Sequence, residues 1–234
     1  MPNILNIETS SSQCSVCISK GAEIIVGFES SKNMDHSTSL APFVEKCISE
    51  LKSNDESLDA VSVSNGPGSY TGLRIGLSLA KGIAFGLSIP LITISSLEIL
   101  AVRAMFSFPE ISGEELIVPM IDARRMEVYT SVFDCRLDII EPPRAEILTS
   151  NSFNELDKAR QVIFIGDGSE KFKDLYEGDN AIWMGNGMPH AKYMAPLSLK
   201  YYKEKKFADV AYAVPFYLKD YITTTPKSLL HNLC

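Results

Sequence analysis

The order of strand-like and helix-like segments in the first 107 residues constrains the fold of this chain more than any other feature. Three strand patterns occur between Ile4 and Phe28 and are joined by two short turns, which predicts an antiparallel meander. Helical and strand patterns then alternate, so the predicted order is β-β-β-α-β-α-β-α. This order predicts a mixed sheet covered by helices.

A second set of elements follows residues 107–115, a segment with Pro109 and Gly113 that is typical of a linker. The sequence then predicts strands at 116–121, 128–133 and 144–148, a short helix at 151–160, a buried strand at 162–165 and a helix at 195–206. We therefore expect an α/β protein of two lobes, 1–107 and 108–218, followed by a tail, 219–234.

Composition and charge exclude several classes of protein. The 234 residues are 45% apolar and 22% charged, values that are ordinary for a globular protein and unlike those of disordered or coiled-coil chains. The net charge of −7 lacks the basic excess of a protein that binds nucleic acid alone, so a role with RNA would need a partner. The sequence shows neither a secretory leader nor an apolar run of membrane length, and its five cysteines suggest reduced thiols. We expect a cytoplasmic protein with no membrane partner.

The most specific segment is the glycine-rich stretch from Asn65 to Gly76, which lies between a predicted strand and a predicted helix. Such a loop can direct backbone N–H groups at an anion, which makes Gly66, Gly68 and Ser69 candidate cofactor-binding residues. The spacing matches neither a Walker loop nor a dinucleotide-binding loop. The structural alternative, which we favour, is that the glycines permit a turn and that Thr71 caps the helix.

An acid and a hydroxyl, Glu8 and Thr9, stand at the end of the first predicted strand. This position suits a ligand of a nucleotide or a metal, so both residues are weak candidates for cofactor binding. Local turn chemistry is the favoured interpretation, because Ser and Thr side chains commonly bond to neighbouring backbone.

Two predicted helices, at residues 36–52 and 72–87, carry more apolar surface than one sheet face requires. The second is apolar on nearly all sides and has small residues at four-residue spacing, which favours a protein–protein surface over simple burial under the first helix. The candidate interface residues are His36, Leu40, Phe43, Val44, Cys47, Gly72, Leu73, Gly76, Leu77 and Ala80.

Metal chemistry has little support in the sequence. Cys14 and Cys17 are three residues apart on a predicted strand, and residues so spaced point to opposite faces. His36 precedes a helix, but Leu40 occupies the position one turn later, so no His-x-x-x-His pair is formed. The one basic cluster, Lys200–Lys206, could touch RNA phosphates or complement a helix C-terminus, and we favour the second interpretation.

Three segments resemble the TsaB (YeaZ) family, formerly described as glycoprotease-like: Ile4–Ser10, Gly66–Gly76 and Asp122–Tyr129. By its residues alone, the third segment is a charged turn between two strands, for which we favour a plain hairpin. The resemblance is specific over most of residues 1–135 and weak beyond about residue 150. Tyr70 stands where the family more often has Phe.

The resemblance implies a fold of the actin, Hsp70 and sugar-kinase type, which is ribonuclease H-like. It implies a part in the bacterial biosynthesis of threonylcarbamoyladenosine, the modified adenosine next to the anticodon of tRNA. The implied role is that of a non-catalytic scaffold and activator, which binds a TsaD-like catalytic paralogue through its first two helices. A TsaE-like ATPase would join that complex, and tRNA would be reached only through it.

The resemblance also implies that the chain has no catalytic residue, no metal and no cofactor of its own. The TsaD paralogue carries a His-x-x-x-His metal pair on the corresponding helix, where this chain has His36 and Leu40. Two alternatives remain open. The chain could form a homodimer, or it could be a nucleotide-binding phosphotransferase or hydrolase of the same fold, which would need Glu8 and the Gly66–Gly72 loop.

Overall fold

Two five-stranded sheets form the framework of the protein in a computed structural model, which describes residues 1–30, 36–108, 110–156, 160–185 and 187–219. The first sheet has the strands β1 (Asn3–Glu8), β2 (Ser15–Lys20), β3 (Glu23–Glu29), β4 (Ala60–Gly66) and β5 (Leu91–Ser95), in the order β3-β2-β1-β4-β5. The first three strands are antiparallel, while β4 and β5 run parallel to β1. The predicted meander and mixed sheet are therefore confirmed.

Three helices follow from the predicted patterns: α1 (His36–Ser53), α2 (Tyr70–Leu87) and α3 (Ser96–Ser107). The apolar stripes of α1 and α2 pack on one face of the first sheet, against Leu5, Ile7 and Val63. Ser95 caps α3 in a capping box with Glu98, which fixes the start of that helix immediately after β5. One side of α3 contacts the back of the first sheet and another contacts the second sheet, so α3 lies between the two sheets.

The second sheet has the order β10-β9-β6-β7-β8. Its strands are β6 (Leu116–Asp122), β7 (Glu127–Asp134), β8 (Ile139–Ile147), β9 (Val162–Ile165) and β10 (Ala181–Trp183), and its short helix is α4 (Glu170–Lys173). The predicted helix at 151–160 is wrong where the structure describes it, since residues 150–155 form turns. Ser152 Oγ accepts a bond from the N–H of Thr149 (3.1 Å), and Phe153 adopts a φ of 64° that turns the chain. Residues 157–159 lie outside the described part.

The chain returns to the first sheet after residue 190. A 3₁₀ helix (Ala191–Met194) runs directly into α5 (Ala195–Lys203), and together they cover the back of the sheet beside Ile4, Ile92 and Ile94. The division that we propose at residue 107/108 falls between α3 and β6 and separates the two sheets. The proposed tail is described only at Lys219. Within the described ranges, no helix is both long and apolar enough to cross a membrane.

Two glycines of α2 meet very different surroundings. A Cβ added at Gly76 would lie 2.2 Å from Thr9 Oγ1, whereas a Cβ at Gly82 would meet no described atom within 4 Å beyond the helix's own backbone and the adjacent residues. The absence of a side chain at Gly76 therefore allows α2 to approach the end of β1. Gly82 faces open space instead.

We expect Gly76→Ala to lower the free energy of unfolding by about 1–3 kcal/mol, because the added methyl group overpacks against Thr9. The matched control, Gly82→Ala, should raise it by up to about 1 kcal/mol, because alanine favours the helix and no neighbour obstructs it. Urea denaturation of both variants measures these changes. A Gly76→Ala protein as stable as the parent chain would contradict the close contact.

Candidate functional site

The end of β1 places an acid and two hydroxyls inside the protein. Glu8, Thr9 and Ser10 are all buried, and Glu8 and Thr9 are fully inaccessible to solvent. The N–H of Ser10 donates to Glu8 Oε1, and the N–H of Thr9 donates to Ser64 Oγ at 3.3 Å. Glu8 Oε2 has no hydrogen-bond partner among the described residues, and burial raises the pKa of Glu8 to about 6. The carboxyl group is thus held in a site that favours its neutral form.

The glycine-rich loop folds directly onto the end of β1. Gly68 has a φ of 153°, and a Cβ there would lie 2.3 Å from the carbonyl oxygen of Ser10. The N–H of Ser69 donates to that same oxygen (2.7 Å), and Ser69 Oγ accepts a bond from the N–H of Gly72 (3.2 Å). Ser69 is therefore the N-cap of α2, and the predicted cap, Thr71, is wrong because the helix begins earlier, at Tyr70.

Residues 208–217, which follow α5, cross this loop, and we call this segment the C-terminal strap. Its first residue is bonded to the edge of β5 (2.8 Å), and farther along the N–H of Phe216 donates to the carbonyl oxygen of Asn65 (2.7 Å). The carbonyl oxygen of Phe216 lies 2.7 Å from where a Cβ on Gly66 would stand. The strap thus covers the first glycine of the loop.

Side chains of α2 form hydrogen bonds and ring contacts with the strap. Arg74 Nε donates to the hydroxyl of Tyr217 (3.0 Å), and the Arg74 guanidinium lies 4.0 Å from the centre of the Tyr70 ring. The rings of Tyr70 and Tyr217 are 5.1 Å apart. Lys81 Nζ donates to two carbonyl oxygens of the strap, at 3.0 and 3.1 Å. The strap is therefore bound along most of the length of α2.

The five candidate cofactor-binding residues do come together at this place. Of these, Glu8 and Thr9 are buried below the loop, Gly66 is covered by the strap, and Ser69 is exposed. A nucleotide would reach Glu8 only after the loop or α2 had moved. In the part of the chain that the structure describes, no three His, Cys, Asp or Glu side chains are grouped as a metal site requires.

The structure shows which way the candidate interface residues face. Eight of the ten are buried in this chain alone, where α1 and α2 pack on the first sheet: Leu40, Val44, Cys47, Gly72, Leu73, Gly76, Leu77 and Ala80. Phe43 is half-buried and stacks on Phe28 (5.9 Å between ring centres). The side chain of His36 lies outside the described residues.

Other residues of α2 point away from the sheet and form what we call the outer face of α2: Thr71, Ser78, Gly82, Phe85 and Gly86. Phe85 is 80% exposed, and apart from the helix's own backbone and the adjacent residues, no described atom lies within 4 Å of a Cβ built on Gly82 or Gly86. A large exposed ring beside two glycines is typical of a surface that another helix can approach closely. Sequence analysis did not select Phe85 as an interface residue. Its spacing of three residues from Gly82 does place the two on the same side of the helix.

The charged segment from Asp122 to Glu127 is the hairpin that we expected, because it joins the antiparallel strands β6 and β7. Asp122 Oδ1 accepts bonds from the N–H of Arg124 (2.5 Å) and from Lys171 Nζ (2.9 Å). Glu127 forms an ion pair with Lys219, which lies just beyond the strap. This ion pair links the second lobe to the segment that follows the strap.

Comparison with known proteins gives consistent results. The family model described as TsaD, tRNA N6-adenosine threonylcarbamoyltransferase, matches residues 29–232. The chain is 31% identical over 221 residues to the tRNA threonylcarbamoyladenosine biosynthesis protein TsaB of Bacillus subtilis, covering 92% of this chain and 93% of that relative.

Solved structures agree with the sequence relatives. YeaZ from Pseudomonas aeruginosa superposes with a TM-score of 0.77 at 25% identity, covering 93% of this chain and 100% of that one. The ethanolamine utilization protein EutJ from Carboxydothermus hydrogenoformans is similar in fold alone, with a TM-score of 0.50 at 8% identity over 84% of this chain and 90% of its own. The expected two-lobed α/β fold is thereby confirmed.

The buried carboxyl group gives a prediction about stability and pH. The pKa of Glu8 is 4.5 in an unperturbed state and about 6 in the fold, so the folded protein holds this proton to higher pH. Stability should therefore fall as pH rises from about 4.5 to about 6, and the loss should level off at about 2 kcal/mol.

Glu8→Gln mimics the neutral acid and should be more stable than the parent chain by up to about 2 kcal/mol near neutral pH, with no difference below about pH 4.5. Denaturation across this pH range measures the effect. Glu23→Gln, at an exposed position of β3, is the matched control. A parallel pH dependence of the parent chain and Glu8→Gln would contradict the burial of the charge.

Proposed function

The chain belongs to the TsaB (YeaZ) family and has a role in the biosynthesis of tRNA threonylcarbamoyladenosine, and from that premise we propose that it is a non-catalytic subunit. In this proposal it acts in the cytoplasm by binding a TsaD-like catalytic paralogue and stabilising the competent state of that enzyme. The observation that carries the proposal is the complete burial of Glu8 and Thr9 below the glycine-rich loop.

The position of Leu40 supports a role without transfer chemistry. The family resemblance aligns it with the second histidine of the TsaD metal pair, and here the leucine side chain is 1% exposed. It packs in the apolar cluster between α1 and the first sheet. An aliphatic side chain in that place fills the core and offers no ligand atom to a metal.

The covered loop argues against the alternative of a nucleotide phosphotransferase or hydrolase. Such an enzyme needs acidic and backbone groups open to the phosphates and their metal, whereas Glu8 is enclosed and Gly66 lies under the strap. Titration of the purified chain with ATP and Mg²⁺ separates the two functions. Stoichiometric binding with turnover would favour the enzyme.

The outer face of α2 is the surface that we propose for the partner. Its five residues carry no charge, and the two cations of the same helix, Arg74 and Lys81, are bonded to the strap instead. Charge depletion and small residues are typical of the centre of a stable interface. The TsaD-like paralogue is the occupant we propose, a second copy of this chain competes for the same face, and a TsaE-like ATPase joins the pair afterwards.

Phe85→Glu should reduce binding of the TsaD-like subunit by at least about 100-fold, because the charge would be desolvated without a partner at the centre of the interface. The fold should be unaffected, since Phe85 is 80% exposed. Leu77→Glu is unsuitable as a test because that side chain is 4% exposed in the core.

Co-purification and calorimetry measure this binding. Ile147→Glu is the matched control, since Ile147 is 68% exposed on β8 of the second sheet. Equal loss of binding in both variants, or none in Phe85→Glu, would contradict the assignment of the face.

Reconstitution tests the function as a whole. The mixture contains the TsaD-like and TsaE-like proteins, tRNA, threonine, bicarbonate and ATP, with a TsaC-like enzyme that supplies the threonylcarbamoyl-adenylate. We expect the modified nucleoside to form only when this chain is present. Mass spectrometry of digested tRNA measures the product. Full product formation without this chain would refute the scaffold role, and product formed by this chain from the adenylate and tRNA alone would show that it is the transferase.

A further inference from the structure

An exposed basic strip runs along the 3₁₀ helix and α5. Lys192, Lys200 and Lys203 are all exposed. Lys200 and Lys203 lie three residues apart on one face of α5, and Lys192 lies eight residues before Lys200, on the 3₁₀ helix that leads into α5. The opposite face is buried against the first sheet through Leu197 and Tyr201. At 1.5 Å per residue, the strip is roughly 16 Å long.

No acid in the described part of the chain forms an ion pair with the lysines of the strip. Among the ion pairs between described residues, none involves Lys192, Lys200 or Lys203. Residues 190–206 contain five lysines and one acid, Glu204, in a chain whose net charge is −7. Lys200 and Lys203 complement the C-terminal end of α5, as the sequence suggested, but Lys192 precedes that helix and has no such role.

Aromatic rings and a further cation stand at the beginning of the strip. Tyr193 lies between two cations, with Lys192 Nζ at 4.9 Å and the Arg103 guanidinium at 5.6 Å from its ring centre. Phe106 is 69% exposed, and its ring centre is 6.2 Å from that of Tyr193. Arg103, Lys192 and Tyr193 also line a cavity of about 250 Å³.

Three further titratable groups line this cavity, Cys14, Glu29 and His190, and burial raises the pKa of the Cys14 thiol. His190 Nε2 is 2.9 Å from Glu29 Oε2, and burial lowers the pKa of His190. The cavity therefore has two fixed positive charges, on Arg103 and Lys192, and one negative charge, on Glu29. Together with the rest of the strip, the surface is strongly positive.

We propose that this strip binds the phosphate backbone of an unpaired tRNA loop, with an RNA base stacked on Phe106 and Tyr193. Cations that track a backbone beside exposed aromatic rings are the usual combination for single-stranded nucleic acid. The acidic remainder of the surface repels RNA and thereby restricts it to this face. This inference rests on the proposed function, because it names the surface by which the subunit helps to hold the substrate of the complex.

The test uses the reconstituted complex with the TsaD-like subunit and measures tRNA affinity over a series of salt concentrations. The variant Lys192→Gln/Lys200→Gln/Lys203→Gln removes three phosphate contacts without adding acids to the last turn of α5. It should weaken tRNA binding at least about tenfold and reduce the slope of log K against log [salt] by roughly 2–3. Lys192→Gln alone, which lies outside α5, should reduce the slope by about 1.

The matched control is Lys52→Gln/Arg136→Gln/Lys173→Gln, which neutralises three exposed cations elsewhere. It should leave both affinity and slope unchanged. Phe106→Ala/Tyr193→Ala should weaken binding with an unchanged slope, because stacking does not release counterions. Each variant is first shown to unfold at the temperature of the parent chain.

An intact complex in which the strip variants bind tRNA with the parent slope would overturn this inference alone. The same holds if the control variant loses as much affinity as the strip variant. If the parent chain does not bind the TsaD-like subunit at all, the proposed function fails, independently of the strip.

Discussion

The close approach of α2 to the end of β1 determines the arrangement of everything around it. Gly76 leaves room for the side chain of Thr9, and Gly68 leaves room for the carbonyl of Ser10. Both contacts draw the start of α2 onto the first sheet and seal Glu8 below it. Because one side of the helix is committed to this packing, Phe85 must face outward.

The local patterns predicted most of the first lobe, since alternation and helical stripes are short-range properties of the sequence. The meander, the two sheet-packed helices and the capped helix α3 all follow from residues within a few turns of one another. The orientation of α2 could not be predicted in this way. A helix that is apolar on nearly all sides offers no contrast between Leu77, which is buried, and Phe85, which is exposed.

The strap could not be predicted, because the contacts that hold it join distant parts of the chain. Arg74 and Tyr217 are 143 residues apart, and no spacing rule connects them. From sequence alone, the glycine-rich loop cannot be distinguished from an open anion-binding site. In the structure the strap covers Gly66, so the loop is closed on that side. The turn around Phe153 could not be predicted either, because its contacts are also distant in sequence. The centre of the Phe153 ring lies 5.4 Å from that of Phe172 and 6.0 Å from that of Phe164.

The return of α5 to the first sheet has a consequence for the order of folding on the ribosome. The back of that sheet, with Ile4 and Ile92, is completed by residues that are synthesised about 100 positions after β5. At ordinary translation rates, α3 alone covers the back of this sheet for roughly 5–20 s, and the rest of the apolar face stays exposed. The lobe made first is therefore finished last, and during synthesis it is a natural substrate for chaperones.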